Sequence, residues 1–243
     1  MIAQNLAAVK TRIEQAALRA GRNSATITLV GVSKNRPVEA MVKAYRAGLR
    51  HFGENRVEEM AAKIPAFMTA VNPADPPTIH MIGHLQSRKV AGAIRHARLI
   101  HSLDSLKLAH RIDRLAQRDN RPPVPVLLEC NLSGEAAKAG FKVAGWQHNK
   151  PALQAFLEQA AAIAGLSRVQ VLGLMTMAPI VDRPEQARPY FKSLRQLRDR
   201  CAAELPGIEW RHLSMGMTND FEVAVGEGAT LVRVGRAIFG FDD

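Results

Sequence analysis

Cysteine is scarce in this chain of 243 residues. Its two cysteines, Cys130 and Cys201, form no CxxC pair and no metal-ligand spacing, and each lies in an apolar stretch where a buried thiol is common. This usage argues against a disulfide framework and against a cysteine metal site. We therefore expect a reduced protein of the cytoplasm.

Long hydrophobic runs are also missing. No apolar stretch approaches the roughly 18 residues that a membrane-spanning helix needs, so no membrane segment and no membrane partner are predicted. Charged residues interrupt the N-terminal stretch MIAQNLAAVKTRIEQAALRAGR, which argues against a secretory signal. The apolar residues of this stretch recur at helical spacing and predict a first helix: Leu6, Val9, Ile13, Ala17 and Ala20.

Aromatic residues are few, at 5%, whereas basic residues are plentiful: 33 Lys and Arg face 22 Asp and Glu, a net charge of +11. Such a surface attracts anions. The basic residues are spread along predicted helices, however, with few aromatic rings among them to stack on bases. The pattern favours a solvated basic surface, and no nucleic-acid partner is expected.

Hydrolytic motifs are absent as well. The sequence contains neither an HExxH pair nor a G-x-S-x-G elbow. Four histidines lie near predicted strand ends without ligand spacing, and we expect them to be hydrogen-bonded structural residues: His80, His84, His101 and His212. No catalytic residue and no metal ligand is predicted.

What the chain does contain is a rhythm of short apolar runs alternating with longer amphipathic stretches, which is typical of βα units. Eight candidate strands follow one another: ITLVGVSK from Ile27, RHFGE from Arg50, TIHMIG from Thr78, RLIHSLD from Arg98, VPVLLECNLS from Val124, VQVLGLMTM from Val169, WRHLSMGM from Trp210 and TLVRVG from Thr230. The pattern predicts one α/β domain over residues 1–243, a (β/α)8 TIM barrel with an extra N-terminal helix. An open doubly wound sheet is the alternative, because periodicity alone does not distinguish it from a closed barrel. A closed barrel has no exposed sheet edge, so we expect a monomer.

Lys34 is the last residue of the first candidate strand, ITLVGVSK, and strand ends are where this fold places chemistry. The period of two puts Thr28, Val30, Val32 and Lys34 on one face, which predicts that Lys34 points inward at the barrel mouth. Burial or a nearby cation would favour the neutral amine, which attacks aldehydes. A lysine that extends outward to solvent is also compatible with this spacing.

Gly235 lies between the last strand and a helix predicted to begin at Arg236 or Ala237. Backbone N–H groups at such a turn favour an anion, and the loops after strands seven and eight are the recurrent phosphate site of these barrels. Ser214 and Gly216, at the end of the seventh strand, could add a hydroxyl and further N–H groups. Ordinary turn chemistry is the alternative for Ser214.

Arg233 lies between two valines of a strand that would be covered on both faces, so its charge needs a buried partner. A pyridine nitrogen is one such partner, and the arginine would keep it unprotonated and weaken the ring as an electron sink. An internal carboxylate, Glu129 or Glu222, is the other.

Seven motifs, in order along nearly the whole chain, closely resemble the pyridoxal phosphate homeostasis protein family: LVGVSKNRP, HFGENRVEE, IHMIGHLQSRK, IHSLDSLKLA, GLMTMAP, LSMGMTNDFEVAV and VRVGRAIFG. The resemblance implies a barrel like the N-terminal domain of alanine racemase. It also implies pyridoxal 5′-phosphate (PLP) as a Schiff base on Lys34, with Arg233 facing the pyridine nitrogen. Other residues implied around the cofactor are Ser214, Gly235 and Arg236 at the phosphate, Met215 and Gly216 in the wall on that side, and Asn55 near the ring.

Two residues depart from the pattern of the family. Asn35 stands where Thr is usual in VSKNRP, and Arg236 replaces a common Thr in VGRAIFG. At Arg236 the lost hydroxyl would weaken phosphate binding, or the guanidinium would replace it with a charge-assisted contact.

The function implied by the resemblance is intracellular PLP (vitamin B6) homeostasis: a non-catalytic carrier that binds PLP reversibly, with apo forms of PLP-dependent enzymes as recipients. The alternative is a PLP-dependent amino-acid racemase. A racemase on this barrel needs an acid or base on each face of the substrate, usually the lysine and a tyrosine from a second domain. Here the chain ends just after the eighth unit, and the only tyrosines, Tyr45 and Tyr190, lie in predicted helices.

Overall fold

Parallel strands organise the chain into a closed barrel. The structure is a computed structural model and describes residues 1–240. Within these residues the strands are β1 (Thr28–Val32), β2 (His51–Glu54), β3 (Thr78–Met81), β4 (Leu99–Leu103), β5 (Val124–Asn131), β6 (Phe141–Lys142), β7 (Val169–Met175), β8 (His212–Ser214) and β9 (Leu231–Val234). The order β4-β3-β2-β1-β9-β8-β7-β5 closes because β4 also pairs with β5. The predicted eight-stranded barrel is therefore confirmed, and the open sheet is ruled out.

Helices surround the barrel. Those of residues 1–240 are α1 (Ile2–Arg19), α2 (Val38–Arg46), α3 (Val57–Thr69), α4 (Val90–His96), α5 (Leu106–Arg118), α6 (Lys150–Ala164), α7 (Arg188–Glu204), α8 (Phe221–Gly226) and α9 (Arg236–Phe239). The extra N-terminal helix is confirmed: α1 packs against α8 and α9 and buries Leu6, Val9, Ile13 and Ala17, whereas Ala20 ends it and is exposed. The predicted domain span of 1–243 includes residues 241–243, which lie outside the described residues.

All eight predicted strands are present, although several end earlier than predicted. β1 ends at Val32, two residues before Lys34, because the chain turns at residues 33–36. The two-residue strand β6 was not predicted; it pairs with β5 alone, outside the closed ring, and is too short to have a periodic signal. These differences affect strand ends and leave the topology unchanged.

Two apolar clusters fill the fold. The larger one joins helix residues to the outward side chains of the strands, such as Phe52 and Val232. The smaller one consists of strand residues alone and therefore fills the barrel interior: Val30, Leu99, Leu127, Leu172, Met175 and Leu231. Side chains of the same strand faces, farther toward the carboxyl ends, border the barrel mouth.

Both cysteines are buried free thiols, as predicted. Within residues 1–240, every helix is too short or too polar to cross a membrane.

Candidate functional site

Four adjacent strands carry the predicted cofactor residues to one end of the barrel. The strands β2, β1, β9 and β8 are consecutive neighbours in the sheet. Lys34 follows β1, Asn55 follows β2, Ser214 ends β8, and Arg233 and Gly235 lie in and after β9. Residues separated by up to 201 positions in sequence, Lys34 and Gly235, thus meet at the carboxyl ends of these strands, where barrel proteins place their ligands.

The side chain of Lys34 is exposed, on the turn at residues 33–36. The spacing left two alternatives open, and the structure shows the lysine extended to solvent rather than desolvated within the strand, because the strand stops at Val32. The turn leaves the amine at the mouth, accessible to a ligand from solvent.

Polar side chains of the helix α3 hold the turn that carries Lys34. Lys63 donates from Nζ to the carbonyl oxygens of Ser33 at 2.8 Å and Arg36 at 3.3 Å. Glu59 accepts the backbone N–H of Asn35 at 2.5 Å. Because the backbone on both sides of Lys34 is bonded, the turn has a defined position relative to β1 and α3.

A buried carboxylate anchors this arrangement. Glu54, at the end of β2, is fully buried and lies 2.7 Å from Nζ of Lys63, which lies equally far from Glu59. The hydroxyl of Ser33 donates to the same oxygen of Glu54 at 2.6 Å. Burial raises the pKa of Glu54, whereas the bonds from Lys63 and Ser33 oppose that rise. This cluster has no sequence signature, because its members come from three separate elements.

Asn35 adopts a left-handed backbone conformation with φ of 56°. Asparagine is enriched in this conformation, whereas a β-branched residue such as threonine is strained there. The departure from the threonine of the family pattern therefore suits the shape of this turn.

Arg233 is buried inside the barrel, at 4% exposure. It donates from Nη1 to the hydroxyl of Ser214 at 2.5 Å and from Nη2 to the carbonyl of Thr176 at 2.9 Å. The alternative that Glu129 or Glu222 forms an ion pair with it was wrong: Glu222 pairs with Arg12, and no carboxylate of residues 1–240 lies within ion-pair distance of Arg233. Burial lowers the pKa of Arg233 to about 10, opposed by the charges of Asp220 and Glu129. A buried cation with only neutral partners suits a ligand that offers an acceptor.

Ser214 joins Arg233 to a chain of histidines. Its Oγ lies 2.8 Å from Nδ1 of His101, whose Nε2 lies 2.9 Å from Nδ1 of His80, whose Nε2 lies 3.0 Å from Nδ1 of His51. The strands β4 and β8 are not neighbours in the sheet, so the bond between His101 and Ser214 crosses the barrel interior. The prediction of hydrogen-bonded histidines is confirmed for His80 and His101, and for His212, whose Nδ1 lies 3.3 Å from the hydroxyl of Thr230. The connection of His80 and His101 to Ser214 was not predicted.

The two residues after Ser214 have different environments. Met215 is fully buried in the core between barrel and helices, so only its backbone borders the mouth. Gly216 has φ of +91°, and a Cβ there would lie 2.8 Å from Cα of Phe221. The turn after β8 thus requires glycine and brings the backbone close to the start of α8.

Gly235 and Arg236 form the junction between β9 and α9. The helix begins at Arg236, as predicted, with Gly235 as its N-cap. Arg236 is exposed, and Gly235 lies against Val32 of β1, next to the turn of Lys34. The junction therefore places a cation and a helix start beside the lysine turn.

Glu129 is a further mouth residue that sequence analysis did not select for the ligand. It stands in register with Met175 of the interior cluster, so its side chain also faces inward. Its Oε2 is buried and has no hydrogen-bond partner among the described residues. Burial raises the pKa of Glu129 to about 7; the charge of Asp104 adds to the rise and that of Arg233 opposes it. An unsatisfied buried acceptor is expected where a ligand or water completes a site.

The raised pKa of Glu129 predicts a pH dependence of stability. The folded state holds the proton up to about pH 7, whereas the usual pKa of a glutamate is 4.5. The contribution to the free energy of unfolding is therefore full below pH 4.5 and is lost as the pH rises through about 7, by about 3 kcal/mol in total. We expect Glu129→Gln to abolish this loss in urea unfolding across that range. Glu158→Gln, at an exposed position of α6, is the control; an unchanged pH profile in Glu129→Gln would contradict the prediction.

The fold and this mouth define a class of barrel protein. The family model described as "Alanine racemase, N-terminal domain" matches residues 4–243. Among solved structures, alanine racemase of Clostridium difficile resembles the chain with a TM-score of 0.69 at 13% identity, over 99% of this chain and 56% of the racemase, which is a likeness of fold alone.

More similar proteins narrow the class. The pyridoxal phosphate homeostasis protein of Aquifex aeolicus is 40% identical over 98% of this chain and 96% of its own length. That of Pseudomonas aeruginosa is 39% identical over 100% and 96%. PipY of Synechococcus elongatus, solved with PLP bound, has a TM-score of 0.82 and 34% identity over 99% of this chain and 100% of PipY. The chain belongs to the pyridoxal phosphate homeostasis protein family.

Proposed function

We propose that this protein binds PLP reversibly through Lys34 and serves intracellular vitamin B6 homeostasis without turning over a substrate. The observation that carries the proposal is that an exposed lysine, Lys34, and a buried arginine without a carboxylate partner among the described residues, Arg233, lie at the same barrel mouth. The names of the relatives and the PLP-bound structure of PipY support it.

The described residues fit the cofactor. PLP supplies an aldehyde that condenses with a lysine amine, with loss of water, and a pyridine ring that withdraws electrons. Lys34 would provide the amine, and Arg233 would donate to the pyridine nitrogen. A permanently charged arginine leaves that nitrogen unprotonated, so the ring withdraws electrons weakly. This arrangement suits storage of the aldehyde better than carbanion chemistry.

The phosphate would lie between the turns after β8 and β9. Ser214 supplies a hydroxyl, Gly235 the backbone at the start of α9, and Arg236 a guanidinium. Gly216 and the backbone of Met215 would form the adjoining wall. Asn55, on the turn after β2, would border the ring from the other side of Lys34. Arg236 would replace the hydroxyl of the usual threonine with a charge-assisted contact.

The positions of the tyrosines support the absence of turnover. Tyr45 lies in α2, is buried, and donates its hydroxyl to the carbonyl of Asp75 in the loop before β3, at the end of the barrel away from the mouth. Tyr190 lies in α7 against the outer core. Neither provides the second acid or base that a racemase needs at the mouth.

The decisive experiment is borohydride reduction of the protein after incubation with PLP, followed by intact and peptide mass measurement. We expect one reduced adduct on the peptide that contains Lys34, because reduction fixes an imine as a stable amine. No adduct, or adducts spread over surface lysines, would refute the proposal. Sustained deuterium exchange at the α-carbon of alanine by the loaded protein would refute the non-catalytic part alone and favour a racemase.

We also propose that the protein acts in the cytoplasm as a monomer. Two buried, free thiols fit a reducing cytoplasm. Within residues 1–240 the eight strands of the ring have no open edge, and the two-residue β6 offers too short an edge for copies to pair, which fits a monomer. Apo forms of PLP-dependent enzymes would receive the cofactor from the exposed mouth.

A further inference from the structure

The chain of histidines spans the barrel from its base to the mouth. His51 is the first residue of β2, at the amino end of the strands, while Ser214 is the last residue of β8, at the carboxyl end. His80 and His101 lie between them in β3 and β4. His51 also lines a cavity of about 400 Å³ at the base of the barrel. Ser214, at the other end of this row of hydrogen-bonded histidines, lies at the barrel mouth.

Each hydrogen bond of this chain contains one proton, and a neutral imidazole has only one N–H. The protons therefore have two consistent arrangements. In the base-directed arrangement, Ser214 donates to His101 and every histidine is protonated on Nε2. In the mouth-directed arrangement, every histidine is protonated on Nδ1, and His101 donates to Ser214.

The arrangement decides what Ser214 offers to a ligand. Its oxygen already accepts from Arg233. In the mouth-directed arrangement it accepts from His101 as well, so its own O–H is free to donate into the mouth. In the base-directed arrangement that O–H is used within the protein. A phosphate oxygen accepts hydrogen bonds, so it favours the mouth-directed arrangement.

We propose that His51, His80 and His101 are positioning residues that turn the hydroxyl of Ser214 toward the phosphate of the ligand, and that a proton taken up by His51 at the base strengthens this phosphate binding. A doubly protonated His51 donates from both nitrogens, which only the mouth-directed arrangement allows. The inference rests on the proposed binding of PLP phosphate at Ser214.

The surroundings identify His51 as the member that takes up the proton. Burial lowers the pKa of His80 to about 3 and that of His101 well below its usual value, so both stay neutral near pH 6. Burial also lowers the pKa of His51. His51 is only half-buried and lines the cavity, whereas His80 and His101 are buried, so His51 is the ring that solvent protons reach. The other titratable groups around it are His80 on β3, Arg50 directly before β2, and Lys10 and Glu14 on α1. Arg50 and Lys10 already donate to Asp75 and to the carbonyl of Gly48.

The test uses pyridoxine 5′-phosphate, which has no aldehyde and so leaves Lys34 out of the measurement. Affinity is measured by calorimetry from about pH 5.5 to 8, in buffers of different ionisation enthalpy to count protons. We expect the affinity ratio of wild type to His51→Gln to rise about three- to tenfold toward low pH, as a ligand-induced pKa change of up to one unit requires. Titration of the ligand phosphate cancels in this ratio. His110→Gln, exposed on α5, should follow wild type.

A second measurement needs no variant. Nitrogen-15 NMR of the histidine rings distinguishes the two tautomers, and we expect His80 and His101 to carry the proton on Nδ1 when the ligand is bound. An Nε2 proton on His101 in the complex, or a pH-independent affinity ratio, would overturn the inference. If the reduced PLP adduct still forms on Lys34, only this inference fails; if that adduct is absent, the proposed function fails.

Discussion

Replacing Lys34 by alanine is expected to abolish the reduced PLP adduct completely while leaving the fold intact. The side chain is exposed, and no hydrogen bond or ion pair of the described residues depends on it. The free energy of unfolding should therefore change by less than about 0.5 kcal/mol. Residual binding of PLP through its phosphate should remain, detectable as unreduced ligand that exchanges freely.

The matched control is Lys192→Ala, at an exposed position of α7. It should form the adduct like wild type. Intact mass after borohydride and urea unfolding provide the two measurements. Unfolding of Lys34→Ala, or an adduct of equal yield on another lysine, would contradict the role assigned to Lys34.

Replacing Gly173 by alanine is expected to lower the free energy of unfolding strongly. Gly173 lies in β7 with φ of +147°, a conformation that side chains rarely adopt, and a Cβ there would lie 2.0 Å from the carbonyl oxygen of His212. The strands β7 and β8 would have to separate, and their pairing places Ser214 beside Met175. We expect a loss of more than about 3 kcal/mol, or no soluble protein.

Gly207→Ala is the control, because no atom lies within 4 Å of its added Cβ and its backbone is not left-handed. Its free energy of unfolding should stay within about 0.5 kcal/mol of wild type. Urea unfolding of both variants decides the matter: near-equal stability of the two would mean that β7 and β8 adapt without strain.

The histidines and Glu129 mark the limit of sequence reasoning at the mouth. Their spacing carried no motif, so His80 and His101 could be predicted only as structural residues. The bond from His101 to Ser214 joins residues 113 positions apart, across an interior that exists only once the barrel closes. From sequence, Glu129 could be proposed as a partner for Arg233. That its Oε2 has no hydrogen-bond partner among residues 1–240 could not be predicted, because this depends on the positions of all neighbouring side chains.

The sequence by itself determined the βα rhythm, the eight strands, the first helix and the family, because periodicity and motifs are local properties that survive in one dimension. It also selected Lys34 and Arg233 as candidate cofactor residues, which remains a prediction. Only the tertiary structure decided that Lys34 stands exposed on a turn held by Lys63, that Arg233 has neutral partners, and that three histidines connect the base to Ser214. Hydrogen bonding and burial depend on contacts between distant strands, and barrel closure alone sets those contacts.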